Sequence, residues 1–357
     1  MPRQVIGSLF SGWSGLAWFW VCMVVLLAIA GATLQILGPL PHEQPARPVA
    51  QARPPLPRPQ PAAPAPAPVA EKASLTPQPG RSTPGPIADP DPALLEPMTG
   101  STTNLLPRIA ADGRMPMQVY AAGYDDSSRR PRVGLLLAGI GMSQSDSEAA
   151  IHSLPGGITL AFSPYARSPE KLLADARLAE HEYLLSIPME PQGFPLNDPG
   201  PQALMTSVSP EQNHVRLDWA LSRIRGYAGA TGALGDGLLG ERFASLADEL
   251  QPVLAELAHR GLFYVDPTPS SAPSPLVWSR GVDVVIDTPE DLATIDDRLT
   301  QLSLLAHARG SALGLATAPK PFTVERIAAW AGGLTADGLA LAPVSALVKP
   351  PAKGTAP

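Results

Sequence analysis

The segment that most constrains the fold is PRVGLLLAGIGMS, at residues 131–143. Its core, Val133 to Ile140, is apolar without polar alternation, which is typical of a central parallel strand covered on both faces. Gly139 and Gly141 allow the chain to turn sharply where this strand ends, and Ser143 can cap a following helix. Parallel α/β folds place their chemistry at this end of the strands. Here, however, the strand ends in AGIG, which has no titratable side chain.

Charge and cysteine content exclude several classes of protein. The chain has 357 residues and a formal net charge of −6, with no cluster of basic residues in the sequence. We therefore expect no nucleic-acid partner, because such binding needs concentrated positive charge. The single cysteine, Cys22, allows neither an intramolecular disulfide nor a cysteine-based zinc site. No two histidines have the spacing of metal ligands.

The N-terminal part contains an uncharged apolar run, Leu16–Leu37, which is long enough to cross a membrane as a helix. Trp13, Trp18 and Trp20 lie at its start, as in an interfacial aromatic belt. These features predict an uncleaved anchor in the inner membrane, with the folded domain exported to the periplasm. The alternative is a signal peptide that is cleaved after Ala28-Ile29-Ala30.

A proline-rich region separates this segment from the rest of the chain. Residues 39–98 contain many prolines and no aromatic residue, so they cannot bury enough apolar surface to offset the entropy of ordering. The sequence predicts an anchor or signal segment at 1–38, a disordered linker at 39–128, a folded domain at 129–350 and a disordered tail at 351–357. Within the linker, residues 99–130 are transitional and can pack Leu105, Leu106, Val119 and Tyr120 on the domain.

From residue 131 the sequence alternates apolar runs of strand length with helical patterns. After the first strand we predict strands at Ile158–Phe162, Tyr183–Ile187, Leu262–Val265, Val282–Ile286, Leu313–Ala316 and Leu339–Val344. We predict helices at Pro169–Ala179, Ser209–Arg225, Ser245–Arg260, Thr288–Arg309 and Thr323–Ala331, and the glycine-rich residues 226–240 are ambiguous. Six or seven β/α units predict an α/β fold with a parallel barrel or a distorted relative of one.

Three acidic residues follow predicted strands and are candidates for function. Asp266 and Asp287 end apolar strands directly, and Glu190 lies at the carboxyl end of another. Asp287 also precedes a helix start, so a turn or capping carboxylate is the alternative for this residue. His181 lies at the amino end of its strand, where we expect a structural role.

Several segments of the folded part resemble one protein family. They are ITLAFSPYA at 158–166, HEYLLSIPMEP at 181–191, DPGPQALMTS at 198–207, the run from Glu241 to Ser271, the run from Asp283 to Leu315 and APVSALV at 342–348. In phrasing and order they are similar to the divergent polysaccharide deacetylase family of the NodB-like barrel superfamily. The resemblance implies a NodB-like, distorted (β/α) barrel of about six or seven parallel strands. It also implies an ancestry in metal-dependent hydrolysis of acetylated polysaccharide.

The residues that would bind the metal depart from the pattern of the family. Its Asp-Asp-Leu-Gly motif is AGIG at 138–141, and its Gly-His-Pro motif is replaced by ATAP at 316–319. Its Asn-Asn-His-Met-Gly-Ser block reads DGLLGE at 236–241, with Asp236 as the only polar remnant. Asp266 and Asp287 survive from two further motifs. Two carboxylates can hold a hard cation weakly but do not form a catalytic zinc site, so we predict no resident metal or other cofactor.

These departures predict a catalytically degenerate member of the family in the cell envelope, a pseudoenzyme that binds a cell-wall glycan or an envelope protein. Because the metal-binding motifs are lost, we assign no catalytic residue. Asp266 and Asp287 are the candidates for one. The candidate substrate-binding residues are Glu190, Asp236, Asp266 and Asp287. One alternative is an active carbohydrate deacetylase that uses an unconventional carboxylate site. A second alternative is a structural envelope protein.

Overall fold

The computed structural model describes residues 83–101, 103–125 and 127–351, together with Trp20 and Met23. The predictions for Cys22, for the rest of Leu16–Leu37, for most of the proline-rich linker and for residues 352–357 lie outside these residues. No helix formed by the described residues is long and apolar enough to cross a membrane.

The described residues form one large sheet that is surrounded by helices. Its nine strands are β3 to β11, and β1 (Leu95–Pro97) and β2 (Leu105–Pro107) form a separate antiparallel pair. The strands of the large sheet are β3 (Arg132–Ile140), β4 (Thr159–Phe162), β5 (Tyr183–Ser186), β6 (Gly229–Thr231), β7 (Phe263–Asp266), β8 (Ser279–Gly281), β9 (Val284–Val285), β10 (Ser311–Ala316) and β11 (Ala340–Leu341). The helices are α1 (Pro116–Val119), α2 (Gln144–Ser153), α3 (Glu170–Leu178), α4 (Pro210–Leu221), α5 (Glu241–Ala244), α6 (Ala247–His259), α7 (Leu292–Arg309) and α8 (Pro321–Gly333).

The pairing of the strands confirms an α/β fold with a parallel sheet. The order is β8-β7-β6-β5-β4-β3-β10-β9, and β11 pairs with the first residues of β3, before its pairing with β4 begins. Strands β8 and β9 lie at the two ends of this order and do not pair with each other within the described chain. The sheet is therefore an open half-barrel, consistent with a NodB-like fold, rather than a closed barrel.

The sheet has more strands than the six or seven predicted, because two strands carry no apolar pattern. Strand β6 is the tripeptide GAT within the region that the sequence left ambiguous, and β8 is the tripeptide SRG. Both are held by backbone ladders, β6 between β5 and β7 and β8 against β7. Tertiary pairing thus decides their conformation where their own side chains do not.

Strand β3 is covered on both faces, as its apolar sequence predicts. Leu135 and Leu137 belong to the main hydrophobic cluster, whereas Leu136 and Ala138 belong to a second cluster on the opposite face. All four side chains are fully buried. The central position of β3 therefore follows from its sequence, because every second side chain finds a separate apolar layer.

The predicted linker at 39–128 is too long at its carboxyl end. Leu94, Leu106 and Tyr120 are buried in the domain, so the described residues between 87 and 124 form part of its structure. The buried guanidinium of Arg260 donates to Glu96 Oε1 at 2.9 Å and to the carbonyl oxygen of Pro107 at 2.8 Å. Leu106 and Tyr120 pack on the domain as the sequence indicated, whereas the prolines around Leu94 hide its buried position.

A buried carboxylate joins three distant parts of the chain at the amino end of β5. Glu182 accepts hydrogen bonds from the backbone of Ala122 at 3.0 Å, the hydroxyl of Thr159 at 2.9 Å and the backbone of Ser345 at 2.9 Å. Burial raises the pKa of Glu182. This residue stabilises the fold, at the end of the sheet opposite to the strand ends where function was expected.

Helix α6 provides a direct test of the core. Leu254 is 6% exposed within it, and we expect Leu254→Ala to lower the free energy of unfolding by about 2–5 kcal/mol, since a cavity replaces a buried side chain. Leu304 on α7 is 64% exposed, so Leu304→Ala is the matched control, with an expected change below about 0.5 kcal/mol. Urea titration of both variants measures the difference. Equal changes would mean that the faces of α6 and α7 are wrongly assigned.

Candidate functional site

The segments that follow β6 and β10 pack against the place where β3 ends. A Cβ at Gly139 would lie 3.2 Å from Cδ of Pro319, 3.3 Å from the carbonyl oxygen of Thr317 and 3.5 Å from Cα of Gly235. Gly139 and Gly235 also have φ values of +77° and +136°, a region that favours glycine. Thus these two segments contact the end of β3 closely, through backbone atoms and the ring of Pro319.

The segment after β6 closes this end of the sheet. Gly235 reaches β3 although β4 and β5 lie between β6 and β3 in the strand order. The backbone N–H of Asp236, which has a φ of +46°, donates to the carbonyl oxygen of Thr317 at 3.0 Å. Residues 235–240, GDGLLG, fit the glycine spacing of dinucleotide-binding loops, but α5 after them has only four residues. The segment therefore serves as a main-chain bridge between strand ends.

Asp287 lies beside this bridge, because β9 pairs with β10 and brings residue 287 next to Thr317. Its Oδ2 accepts hydrogen bonds from the backbone of Thr317 at 2.7 Å, the hydroxyl of Thr317 at 3.1 Å and the backbone of Ala318 at 3.2 Å. Its Oδ1 is buried and has no hydrogen-bond partner among the described residues. The capping alternative for Asp287 is wrong, since Asp291 is the residue that caps α7.

Asp236 and Asp287 line the same cavity of about 250 Å³, together with Glu290, Thr317 and Lys320. We call it the strand-end cavity. Lys320 Nζ lies 2.8 Å from Glu290 Oε1, and this interaction raises the pKa of the lysine. The cavity thus combines carboxylate side chains with a charged ammonium group, which together can accept and donate hydrogen bonds to a polar ligand.

Burial governs the protonation of Asp287. It raises the pKa of this carboxyl, while the hydrogen bonds from Thr317 and Ala318 act in the opposite direction. Desolvation disfavours the charged form, and only one of the two oxygens has partners that compensate for it.

The structure does not bring Asp266 to this cavity. Asp266 accepts a hydrogen bond from the backbone of Thr268 at 2.8 Å, in a local turn. It lines a different cavity, of about 310 Å³, together with Tyr264 and Arg280. The position of Asp266 at the end of a predicted strand correctly indicated its edge of the sheet. It did not indicate that Asp266 and Asp287 line different cavities.

Glu190 has contacts on both carboxylate oxygens. Its Oε2 accepts from the backbone and the hydroxyl of Thr206, both at 2.7 Å, and its Oε1 lies 3.1 Å from Nε of Arg242. Glu190 is 3% exposed and holds the segment around residue 206 against the end of β5. These contacts explain the burial of Glu190 by a structural role, which its position in the sequence did not indicate.

The role predicted for His181 can be compared with the structure, and two residues of the strand-end cavity were missed. His181 is fully buried, with its ring nitrogens 2.7 and 3.1 Å from the carbonyl oxygens of Ile158 and Ile151, so its structural role is confirmed. Thr317 and Lys320 were not identified from the sequence. Thr317 occupies the ATAP block, where only the missing histidine drew attention, and Lys320 belongs to no motif.

The side chains present do not fit a catalytic metal centre. Within the part of the chain that the structure describes, no three His, Cys, Asp or Glu side chains are grouped as metal ligands. The strand-end cavity offers carboxylates alone, and the ammonium group of Lys320 in its wall opposes a bound cation. No hydrolytic step through a metal is derived from this site.

A family model described as divergent polysaccharide deacetylase matches residues 135–348. The chain belongs to the divergent polysaccharide deacetylase family. The match spans β3 to the last described segments and includes every residue of the strand-end cavity. Gly139 lies at the position where the resemblance described above implies the Asp-Asp-Leu-Gly motif, so its backbone occupies a place where that motif would supply carboxylates.

Solved structures include relatives of this fold. An uncharacterized protein of Agrobacterium tumefaciens C58 is 33% identical, with a TM-score of 0.63, and the match covers 69% of this chain and all of that one. The catalytic domain of a peptidoglycan N-acetylglucosamine deacetylase from Eubacterium rectale ATCC 33656 is 11% identical, with a TM-score of 0.39, over 60% of this chain and 88% of that one. No protein of curated function matches the chain.

The raised pKa of Asp287 leads to a testable pH dependence. The folded state holds this proton more tightly than the unfolded chain, whose aspartate pKa is about 3.9. The contribution of Asp287 to stability is therefore present below that pH and is lost as the pH rises through the folded-state pKa. Asp287→Asn removes the titration and keeps an oxygen that can accept from Thr317.

We expect the free energy of unfolding of the native protein, minus that of Asp287→Asn, to decrease as the pH rises from 3 to 7. Urea titrations at a series of pH values measure this difference. A difference that grows with pH would show that the hydrogen bonds to Oδ2 outweigh burial. Asp297→Asn, at an exposed position of α7, is the control and should leave the pH profile unchanged.

Proposed function

We propose that this protein binds a glycan of the cell envelope in the strand-end cavity and does not hydrolyse it. The observation that carries the proposal is Asp287, which lines a cavity with Asp236 and Lys320 and whose buried Oδ1 has no hydrogen-bond partner among the described residues. Sugar hydroxyls are donors and acceptors, so they can satisfy both the carboxylate oxygen and the ammonium group. Membership of a polysaccharide deacetylase family supports a carbohydrate as the ligand.

The absence of hydrolysis follows from the packing of the strand ends. The backbones of Gly139 and Gly235 approach each other so closely that a Cβ at Gly235 would lie 3.0 Å from Cα of Gly139. A Cβ at Gly139 would lie 3.2 Å from Cδ of Pro319 and 3.3 Å from the carbonyl oxygen of Thr317, so an aspartate there would require these neighbours to shift by a few tenths of an ångström. Leu238, at the place of the histidine in the family motif, has no metal-binding group.

The N-terminal sequence supports a location for this activity. An apolar run at Leu16–Leu37 would anchor the chain in the inner membrane, and the proline-rich region would hold the domain away from it in the periplasm. A domain held on such a spacer could reach cell-wall glycan. Its role would then be to attach or position that glycan rather than to modify it.

Binding of the full-length chain to chitooligosaccharides and to isolated peptidoglycan tests the proposal. We expect native protein to bind at least one of the two and Asp287→Asn to weaken binding about tenfold, because the amide would present a donor where the carboxylate presents an acceptor. Asp236→Asn should weaken binding as well. Asp297→Asn, an exposed change of equal charge, should have no effect.

Two outcomes would contradict the proposal. Absence of binding to both glycans would favour a purely structural role in the envelope. Acetate release from acetylated sugar oligomers in the presence of added divalent metal, lost in Asp266→Asn or Asp287→Asn, would establish an active deacetylase with an unconventional carboxylate site.

A further inference from the structure

A second cavity, separate from the strand-end cavity, is lined by four arginines. It has a volume of about 420 Å³ and lies between α3, the segment after α4 and the turn that joins β1 to β2. Its arginines are Arg167, Arg177, Arg223 and Arg225, and Glu170 is the one acidic residue in its wall. We call it the arginine cavity. This concentration of positive charge contrasts with the net charge of −6 of the chain.

The floor of the arginine cavity is rigid. Arg177 is only 13% exposed at its side chain, and its Nη1 donates to the hydroxyl of Tyr183 at 3.0 Å. That hydroxyl in turn donates to the carbonyl oxygen of Arg225 at 2.9 Å. Tyr183 is buried and packs edge-on against Phe162 in the core. One guanidinium is therefore held in place by the core of the domain before any ligand arrives.

The remaining arginines are oriented by neutral groups. Arg223 Nε donates to the carbonyl oxygen of Pro164 at 3.3 Å, and its guanidinium lies 5.5 Å from the centre of the Trp219 ring. Arg225 Nη2 donates to the carbonyl oxygen of Thr103 at 3.3 Å.

Among the described residues, no carboxylate forms an ion pair with Arg167, Arg223 or Arg225. The carboxylate beside Arg177 belongs to Asp89, which is 90% exposed and so screens the charge weakly. Against four guanidinium groups, the cavity thus has only Glu170 in its wall and Asp89 at its edge. The four positive charges therefore exceed the nearby negative charges by two.

Guanidinium groups bind phosphate with two parallel hydrogen bonds, and a doubly charged anion suits a cavity with several of them. A volume of about 420 Å³ falls within the range of small-molecule sites, roughly 300–1,000 Å³, and exceeds what a bare phosphate needs. We propose that the arginine cavity binds a phosphate ester, with the phosphate on Arg177, Arg223 and Arg225. The site is independent of the strand-end cavity, so each can fail without the other.

Calorimetric titration of the full-length chain at low ionic strength tests the proposal with inorganic phosphate, glucose 1-phosphate and uncharged glucose. We expect glucose 1-phosphate to bind and glucose not to bind at this site. The double variant Arg223→Gln, Arg225→Gln should weaken binding of the phosphate ester at least tenfold, because two charge-assisted contacts are lost. Added sodium chloride should weaken it as well.

The control is Arg298→Gln, which removes the same charge at an exposed position of α7, and it should change the affinity less than twofold. Tighter binding of glucose 1-phosphate than of inorganic phosphate would identify an ester as the ligand, and equal binding would identify phosphate itself. Absence of binding of either anion would overturn the proposal. So would binding that the double variant leaves unchanged, or that Arg298→Gln weakens equally.

Discussion

The contact between the backbones of Gly139 and Gly235 is the constraint on which the functional end of this protein depends. Strand β3 reaches that end with no polar side chain along its buried length, so it supplies no charged or hydrogen-bonding side chain there. The segment after β6 can therefore approach β3 closely and hydrogen-bond to the end of β10 through Asp236. A single apolar strand thus decides how three strand-end segments pack.

This packing leaves the polar groups at one side of the strand ends. Asp287 is positioned by the β9–β10 pairing and by hydrogen bonds from Thr317, both of which persist without the motifs that bind metal. One of its oxygens accepts hydrogen bonds within the fold, and the other has no partner among the described residues. Family membership and an intact scaffold are thus compatible with a site whose chemistry has changed from hydrolysis toward recognition.

The sequence predicted those features that depend on apolar patterning, such as β3, the parallel sheet and the amphipathic helix α6. It did not predict β6 and β8, since GAT and SRG become strands only through their neighbours. It placed Asp266 and Asp287 correctly at strand ends, but the cavity that each lines depends on loop paths without a local signal. Arg177 and Arg223 converge from separate elements, so no spacing in sequence could reveal the arginine cavity.

The central claim is that main-chain packing has replaced the metal site. Equilibrium dialysis of the full-length chain against zinc, nickel or cobalt, followed by mass-spectrometric determination of the bound metal, tests it most directly. We expect well under one equivalent of metal per chain, unchanged by Asp287→Asn, because no imidazole among the described residues lies at the strand ends. Binding of one equivalent that Asp287→Asn abolishes would contradict it.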